Sequence, residues 1–165
     1  MTDPVKVKRS SIWHYLNTGT LTSPTWSRLG YAVTTGAIEY NPETEETADI
    51  TMDNKVTEIV SYKRSLPLEG TVYPGDPAFD FIDNIRINMG VLNDAKSEMV
   101  NVWAYKAPSG TPSTWPAEKV PVNIAIESFG GEGAADAKIK YTIYDAGDPI
   151  LGKFDPSGKT FTANT

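Results

Sequence analysis

The sequence predicts a mainly β protein: a β-sandwich or partly rolled barrel of about seven or eight strands, with one α-helix and a long β-hairpin extension. Three observations support this fold class. Apolar residues alternate with polar ones in several short segments, such as residues 120–129 and 138–144. Clusters of Gly, Pro, Asn, Asp and Ser separate these segments, and only residues 76–89 show a helical period.

Residues 1–25 are expected to form an N-terminal arm, and residues 26–165 a single β domain. The arm contains a short apolar group, residues 12–16, that shows little periodicity. Turn-forming residues follow at 17–24. Such an arm needs a surface on which to dock, and that surface belongs either to its own domain or to a neighbouring molecule.

Residues 40–62 are expected to form the long hairpin. Alternation is clear at residues 45–52, and Asp53-Asn54 supplies a tight turn. The return path, residues 56–73, would measure about 60 Å if fully extended, whereas a compact domain of this length is about 40 Å across. The return strand must therefore bend, break at Pro67 or protrude. We expect a protruding hairpin that contacts a partner, because an isolated two-stranded ribbon is marginally stable in water.

One α-helix is expected at residues 76–89. Asp76 suits the N-cap and Pro77 the first helical position. Apolar side chains then recur at spacings of three and four residues: Phe79, Ile82, Ile85 and Met89. Gly90 is expected just beyond the helix, at the position that favours a left-handed backbone.

The rest of the chain is expected to be β structure. The remaining strands are predicted at residues 26–40, 99–106, 120–129 and 138–144, followed by a closing hairpin of residues 150–154 and 159–163. Gly130-Gly131-Glu132-Gly133 is a flexible connection between two of these strands. No internal repeat or second domain is expected.

The net charge of −6 lies entirely within residues 37–62. This stretch has seven acidic residues and one base, Lys55, whereas the rest of the chain has fourteen acidic and fourteen basic residues. The acidic residues are Glu39, Glu43, Glu45, Glu46, Asp49, Asp53 and Glu58. Because the hairpin carries the whole net charge of a neutral body, we expect these residues to face another molecule.

The composition argues against several classes of function. A sequence pI of about 4.8 disfavours tight nucleic-acid binding, since the one basic cluster is Lys6, Lys8 and Arg9. Cysteine is absent, which excludes disulfides and thiolate metal sites and fits a reducing cytoplasm. No window has the ~20 apolar residues of a membrane span, and the N-terminus shows no secretory signal.

The sequence shows no convincing catalytic site, and we predict that the protein is not an enzyme and needs no metal or cofactor. The single histidine, His14, lies in the predicted arm. Asp80 and Asp83 suit the N-terminal part of a helix, where negative charge is stabilised. Two other interpretations stay open. One is a monomeric β-sandwich that binds carbohydrate or protein, and the other is a small metal-assisted hydrolase that would use Asp80, Asp83 or His14.

Four segments carry a resemblance to a known family by their order and spacing. They are IEYNPET at 38–44, YPGDPAFDFID at 73–83, IESFGGEG at 126–133 and GDPILGKF at 147–154. With these segments, residues 10–163 resemble the major tail tube proteins of long, non-contractile-tailed (siphovirus-type) bacteriophages and prophages of Gram-positive hosts. No single segment is a chemical signature, so the resemblance rests on the series.

The resemblance implies a structural protein whose hexameric rings stack into a hollow tube around a tape-measure protein. Strands would line the lumen, the helix would pack outside, and hairpins and arms would link successive rings. The implied partners are further copies, the tail-tip and tail-terminator proteins, and DNA in transit only, which an acidic lumen would repel. Residues 40–62 are then the candidate stacking element, and Lys6, Lys8, Arg9 and Trp13 the candidate inter-subunit arm. The protein would belong to the virion, be synthesised in the bacterial host cytoplasm and not insert into membranes.

Overall fold

The computed structural model describes residues 3–165, which form eleven β-strands, one α-helix and two short 3-10 helices. The elements are β1 Ile12–Asn17, β2 Trp26–Leu29, β3 Val33–Gly36, β4 Pro42–Thr47, β5 Val56–Tyr62, β6 Ser65–Thr71, α1 Pro77–Ile87, β7 Lys96–Trp103, β8 Trp115–Gly130, β9 Lys138–Asp145, β10 Ile150–Asp155 and β11 Thr160–Ala163. The prediction of a mainly β fold with one helix is confirmed. Met1 and Thr2, at the start of the predicted arm, lie outside the described residues.

Nine of the strands form one curled sheet. Its continuous path runs β2-β1-β7-β8-β9-β6-β3, and the hairpin β10–β11 joins it through β8. The two end strands, β2 and β3, are connected by Gly30–Ala32 alone. Because three residues extend over about 10 Å, the two ends of the sheet must converge at this connection. The sheet therefore curls into a half-barrel.

Two hydrophobic cores lie on opposite faces of the sheet. The larger core lies under α1 and includes Ile82, Leu16 and Met99. The smaller core is covered by β10 and β11 and includes Tyr15 and Phe154. Consecutive residues of a strand point to opposite faces, so Tyr15 and Leu16 of β1 enter different cores. Both faces of this part of the sheet are consequently covered.

β1 is an inner strand of the main sheet, between β2 and β7, and not part of an arm. Leu16 has no exposed surface, and the Tyr15 ring lies 4.4 Å from that of Phe154. A strand that is buried on both faces lacks the alternation of apolar and polar residues that marks a strand with one exposed face. The sequence of β1 therefore did not indicate a strand. The predicted arm of residues 1–25 is thus wrong for most of its length. Residues 3–8, which we call the N-terminal segment, lie outside helices and strands with their side chains exposed.

α1 begins as predicted, with the Asp76 side chain accepting a hydrogen bond from the Phe79 backbone N–H at 3.1 Å. Its C-terminus differs from the prediction, because Met89, with φ 48°, takes the left-handed position. The N–H groups of Met89 and Gly90 donate to the carbonyls of Arg86 and Ile85 at 3.1 and 2.9 Å, which closes the last turn. A side chain at Gly90 would meet the Ile85 side chain at 3.2 Å, so glycine serves close packing there. Within residues 3–165, no helix is long and apolar enough to cross a membrane.

The predicted hairpin is present as a separate two-stranded sheet, in which, among residues 3–165, β4 and β5 pair only with each other. The return path breaks between β5 and β6, at Lys63-Arg64, and not at Pro67, which was one of the three alternatives for this strand. Pro67 lies within β6, opposite Thr142 of β9. β3 pairs with β6 only over Leu68–Gly70, so Pro67 lies where no neighbouring strand needs its missing amide hydrogen.

Candidate assembly surface

The acidic ribbon, which we define as residues 40–62, carries six of the seven acidic residues predicted to form a binding surface. They are Glu43, Glu45 and Glu46 on β4, Asp49 and Asp53 in the connecting turn, and Glu58 on β5. The seventh, Glu39, lies at the base, where its backbone exchanges hydrogen bonds of 2.8 and 2.9 Å with Ser65. All seven are exposed except Glu43, which is half-buried.

The negative charge of the ribbon is only partly neutralised by its one lysine, Lys55, and by Lys63 at its base. Glu45 lies directly opposite Glu58 in the strand register, and like charges in that position destabilise a ribbon. Lys55 Nζ lies 3.8 Å from Glu46 Oε2, and both side chains are exposed. Lys63 pairs with Glu43 at the base and lowers the pKa of that carboxyl. The excess negative charge is therefore left for a partner or for solvent ions.

The ribbon also exposes a set of apolar side chains that the protein's own body does not cover. They are Tyr40, Ile50, Met52, Val56, Ile59, Val60 and Tyr62. Ile50, in the connecting turn, is fully exposed. A surface that combines apolar and charged side chains in this way is suited to a protein partner.

The basic residues predicted for the arm occupy two different environments. Lys6 and Lys8 are exposed and form no ion pair within residues 3–165. Arg9 is bound to the body, because its Nε and Nη1 donate to the carbonyls of Gly36 and Ile12, each at 2.9 Å. Arg9 therefore ties the end strand β3 to the start of β1.

Trp13 is also part of the body. Its ring packs edge-to-face on Trp115 of β8, with 5.4 Å between centroids, and the Arg28 guanidinium lies 4.9 Å from its centroid. Its indole N–H donates to the Ser10 carbonyl at 2.9 Å. Trp13 therefore packs on its own subunit and is not part of a free segment, and its predicted contact with another subunit stays a prediction.

His14 is buried and joins Arg9 to the centre of the sheet. Its Nε2 lies 2.8 Å from Arg9 Nη2 and its Nδ1 lies 2.7 Å from Asn101 Oδ1. Arginine can only donate, so Nε2 is the acceptor and a neutral ring carries its hydrogen on Nδ1. Burial lowers the pKa of His14 to about 4; the Asn101 hydrogen bond opposes this shift, and the charges of Arg9 and Arg28 add to it.

This neutral histidine makes stability dependent on pH. Its pKa falls from 6.5 in the unfolded chain to about 4 in the fold. Its contribution is therefore complete above pH 6.5 and is lost as the pH falls towards 4, by about 3 kcal/mol in all. We expect the free energy of unfolding, measured with urea, to drop less between pH 7 and pH 4.5 in His14→Gln than in the parent protein. Equal drops in the two proteins would contradict the assigned protonation state.

The hydrogen-bond chain continues from Asn101 to the base of the acidic ribbon. Asn101 Nδ2 donates to Glu118 Oε1 at 3.0 Å, and Arg64 Nη1 lies 2.8 Å from the same oxygen. Arg64 Nε donates to Asp145 Oδ2 at 2.6 Å. Burial raises the pKa of Asp145, and its contact with Arg64 opposes that shift. Arg64 is thus held in one position by carboxylates from β8 and β9.

A groove of about 1390 Å³ lies between the base of the ribbon and the connection from β9 to β10. Its lining includes Tyr40, Tyr62, Arg64, Tyr144 and Asp148. Sequence analysis missed this groove, although one signal was present: Lys63-Arg64 interrupts a run of strand-forming residues. The rings of Tyr40 and Tyr62 meet edge-to-face at 85°, so they do not form the flat aromatic platform that would favour the carbohydrate-binding interpretation.

The face of the sheet opposite α1 has balanced charges. Glu69 and Glu127 lie there with Lys138 and Lys140, and Lys140 Nζ is 3.7 Å from Glu127 Oε2. Thr142 donates to Glu127 Oε1 at 2.7 Å. The acidic character of the molecule is thus confined to the ribbon and its base and does not extend over this face.

The three residues considered for metal-assisted hydrolysis have separate structural roles. Asp80 accepts a hydrogen bond from the Gly75 N–H at 3.1 Å, and Asp83 pairs with Arg86 at 2.7 Å. His14 is enclosed by Arg9 and Asn101, as described above. Within residues 3–165, no group of three or more His, Cys, Asp or Glu side chains could hold a metal ion.

Comparison with known proteins identifies the fold. The chain is similar to the tail of an empty GTA particle with C6 symmetry, at 14% identity and a TM-score of 0.63, with 96% of this chain and 100% of the other covered. It is also similar to the tube-terminating cap of the anti-feeding prophage, at 14% identity and a TM-score of 0.54, over 92% and 93% of the two chains. A third match is the sheath/tube terminator of the PVC extracellular contractile injection system, at 14% identity and a TM-score of 0.52, over 91% and 99%.

These matches define a fold shared with tail and tube-terminator proteins. Each of the three is 14% identical to this chain, so the matches show a shared fold, and the absence of enzyme activity stays a prediction. No protein-family model matches the chain, and no curated protein matches it at a significant level.

Proposed function

We propose that this protein is the structural subunit of a phage-type tail tube, in which six copies form a ring and the rings stack into a hollow conduit. The observation that carries the proposal is the similarity, over 96% of this chain and all of the other, to a tail with C6 symmetry. In this account the conduit encloses a tape-measure protein, ends at tail-tip and terminator proteins and passes DNA. The protein would be made and assembled in the bacterial host cytoplasm and become part of a virion with a long, non-contractile tail, from a Gram-positive host.

The acidic ribbon is the element that we assign to the contact between successive rings. It is exposed, it pairs with no strand of the main sheet, and it carries uncovered apolar side chains. Contact with a neighbouring subunit would cover these side chains and support a ribbon that is marginal by itself. Because the ribbon and its acceptor are different surfaces, the contact is head-to-tail and propagates without closing, as a stack requires.

We also propose that the carboxylates of the acidic ribbon make the lumen of the conduit acidic. If the face opposite α1 lines the conduit, its balanced charges neither attract nor repel DNA strongly. A ring of six ribbons would bring up to six times the −5 of one ribbon, which has six acidic residues and one lysine. Salt screens such charges over about 8 Å, so the repulsion acts close to the wall and favours passage over binding.

Reversing the ribbon charge should create DNA binding. In Glu45→Lys/Glu46→Lys/Glu58→Lys, lysines replace carboxylates at exposed positions, including the facing pair Glu45 and Glu58. We expect the assembled variant to retain double-stranded DNA on a filter at low salt and to release it as salt rises, whereas the parent retains none. The variant with glutamine at the same three positions is the control, because it removes the negative charge without adding positive charge. If the parent and the lysine variant retained equal amounts of DNA, the proposal that the ribbon carboxylates repel DNA would be contradicted.

Sedimentation velocity over a range of concentrations tests the assembly directly. We expect a species of six times the 18.0 kDa chain, followed by larger species at higher concentration. A single 18.0 kDa species at every concentration would instead favour the monomeric binding module.

A further inference from the structure

The acidic ribbon leaves the main sheet at a kink that has space around it. One leg of the ribbon passes through Asn41, which has a left-handed backbone with φ 43°, and the other ends at Lys63-Arg64. The Asn41 side chain donates to the Lys63 carbonyl at 3.1 Å, so the two legs bend together. These residues line the groove of about 1390 Å³, which leaves room for the ribbon to swing. Among residues 3–165, no strand of the main sheet pairs with β4 or β5, so contacts at the kink must set the angle of the ribbon.

The Arg64 side chain connects the kink to the main sheet. Its Nη1 lies 2.8 Å from Glu118 Oε1 on β8, and its Nε donates to Asp145 Oδ2 on β9 at 2.6 Å. On the ribbon side, the central carbon of the guanidinium lies 5.5 Å from the centroid of the Tyr40 ring. A single guanidinium thus contacts two strands of the sheet and the first residue of the ribbon.

Stability alone does not explain why these charges are buried. Arg64 is 8% exposed and Glu118 is 5% exposed, so both groups have lost most of their contact with water. The loss of hydration offsets much of the attraction in such a pair, and apolar side chains of similar volume often stabilise a protein equally well. Two carboxylates around one guanidinium also repel each other. The charges do supply direction, because the planar guanidinium bonds to carboxylates only in a defined geometry.

We infer that the buried cluster of Arg64, Glu118 and Asp145 fixes the angle at which the acidic ribbon projects from the main sheet. Arg64 is a positioning residue, which holds Tyr40 and the kink against β8 and β9. A ribbon with one angle meets a neighbouring ring without first losing orientational freedom. This consequence for stacking rests on the proposed function, whereas the fixed angle is a property of the single subunit.

Distances between pairs of spin labels, measured by double electron–electron resonance on the single-subunit fraction, test the fixed angle. The chain contains no cysteine, so labels attach only at introduced positions. The kink-spanning pair, Val56→Cys with Ile87→Cys, joins the outer end of β5 to α1. The body pair, Ile87→Cys with Leu151→Cys, joins α1 to β10 and does not cross the kink. All three side chains are exposed.

The test variant is Arg64→Met/Glu118→Gln/Asp145→Asn. It removes the cluster without leaving a buried charge unpaired, and Glu118→Gln keeps an acceptor for the Asn101 side chain. The fold is therefore expected to persist. We expect the distance distribution of the kink-spanning pair to be at least twice as wide as in the parent, and that of the body pair to be unchanged.

Lys63→Met is the matched control, because it removes the adjacent positive charge of the kink. The ion pair of Lys63 with Glu43 is exposed to solvent, so we expect the kink-spanning pair to keep the width that it has in the parent. Equal widths in the parent and the test variant would overturn the inference. So would equal widening of both pairs, which indicates a general loosening of the fold, or equal widening by Lys63→Met.

The result is separable from the proposed function, because it is measured on single subunits. A ribbon angle that depends on the cluster, in a protein that forms no rings or tubes, would reject the function and keep the role of Arg64. Tubes formed by a protein whose ribbon distances do not depend on the cluster would keep the function and reject that role.

Discussion

A variant in which residues 44–60 are replaced by Asn-Gly is expected to fold but not to stack. β4 and β5 pair only with each other, and β5 is exposed along its whole length, so the deletion removes no part of either core. Glu43 and Ser61 are opposite each other in the register, and a two-residue Asn-Gly turn suits such a pair. We expect a Tm within about 4 °C of the parent, from loss of ribbon contacts worth about 1 kcal/mol at most. Sedimentation velocity should show no species larger than a single ring of six subunits.

The triple glutamine variant of Glu45, Glu46 and Glu58 is the control for this deletion, because it removes charge and keeps the ribbon. We expect it to assemble. Long tubes formed by the deletion variant would reject the stacking role of the ribbon. A collapse of its Tm would show instead that the ribbon contributes to the fold.

Ile82→Asp is expected to unfold the whole domain. Ile82 lies in α1 with no exposed surface, in the core that α1 forms with the main sheet. The substitution removes a buried apolar side chain and places a carboxylate among apolar neighbours, without a partner. We expect a loss of about 4 kcal/mol or more, against a total stability of about 5–15 kcal/mol for a domain. Circular dichroism during thermal unfolding measures this change.

Ile87→Asp is the matched control for the helix. Ile87 lies in the same helix and is exposed, so the new carboxylate remains in water. We expect a change of at most about 1 kcal/mol, mainly because a negative charge near the helix C-terminus is unfavourable. Similar losses in the two variants would contradict the assignment of Ile82 to the core and Ile87 to the surface.

The features that sequence analysis predicted well are specified by neighbouring residues. Asp76 and Pro77 mark the start of α1, and the spacing of Ile82 and Ile85 identifies its buried side. The ribbon is also specified by residues close in sequence, because a single turn joins its two strands. Local signals also explain the strand count: the single predicted strand 26–40 is divided into β2 and β3 by a turn at Gly30, with φ 144°.

The features that sequence analysis missed depend on residues far apart in the chain. β1 is an inner strand because it pairs with β7, and His14 bonds to Asn101, 87 residues away. The return path breaks at Arg64 because Arg64 pairs with Asp145, 81 residues away. Neither partner leaves a local pattern, so the groove and the hydrogen-bond chain behind it could not be derived from the sequence.

The position of Arg9 has the same origin and changes how the N-terminus is interpreted. Its guanidinium is fixed to Gly36, Ile12 and His14, which separates it from the basic pair Lys6 and Lys8. The N-terminal segment therefore begins from a fixed point on the body. A short segment anchored in this way loses less conformational freedom on docking than a long, free arm would.

Electron microscopy of the purified protein in negative stain, freshly concentrated and after incubation over days, tests the central claim most directly. The proposed function predicts hollow rings with sixfold symmetry and tubes built from them. Particles that remain the size of one 18.0 kDa chain in every condition would contradict it.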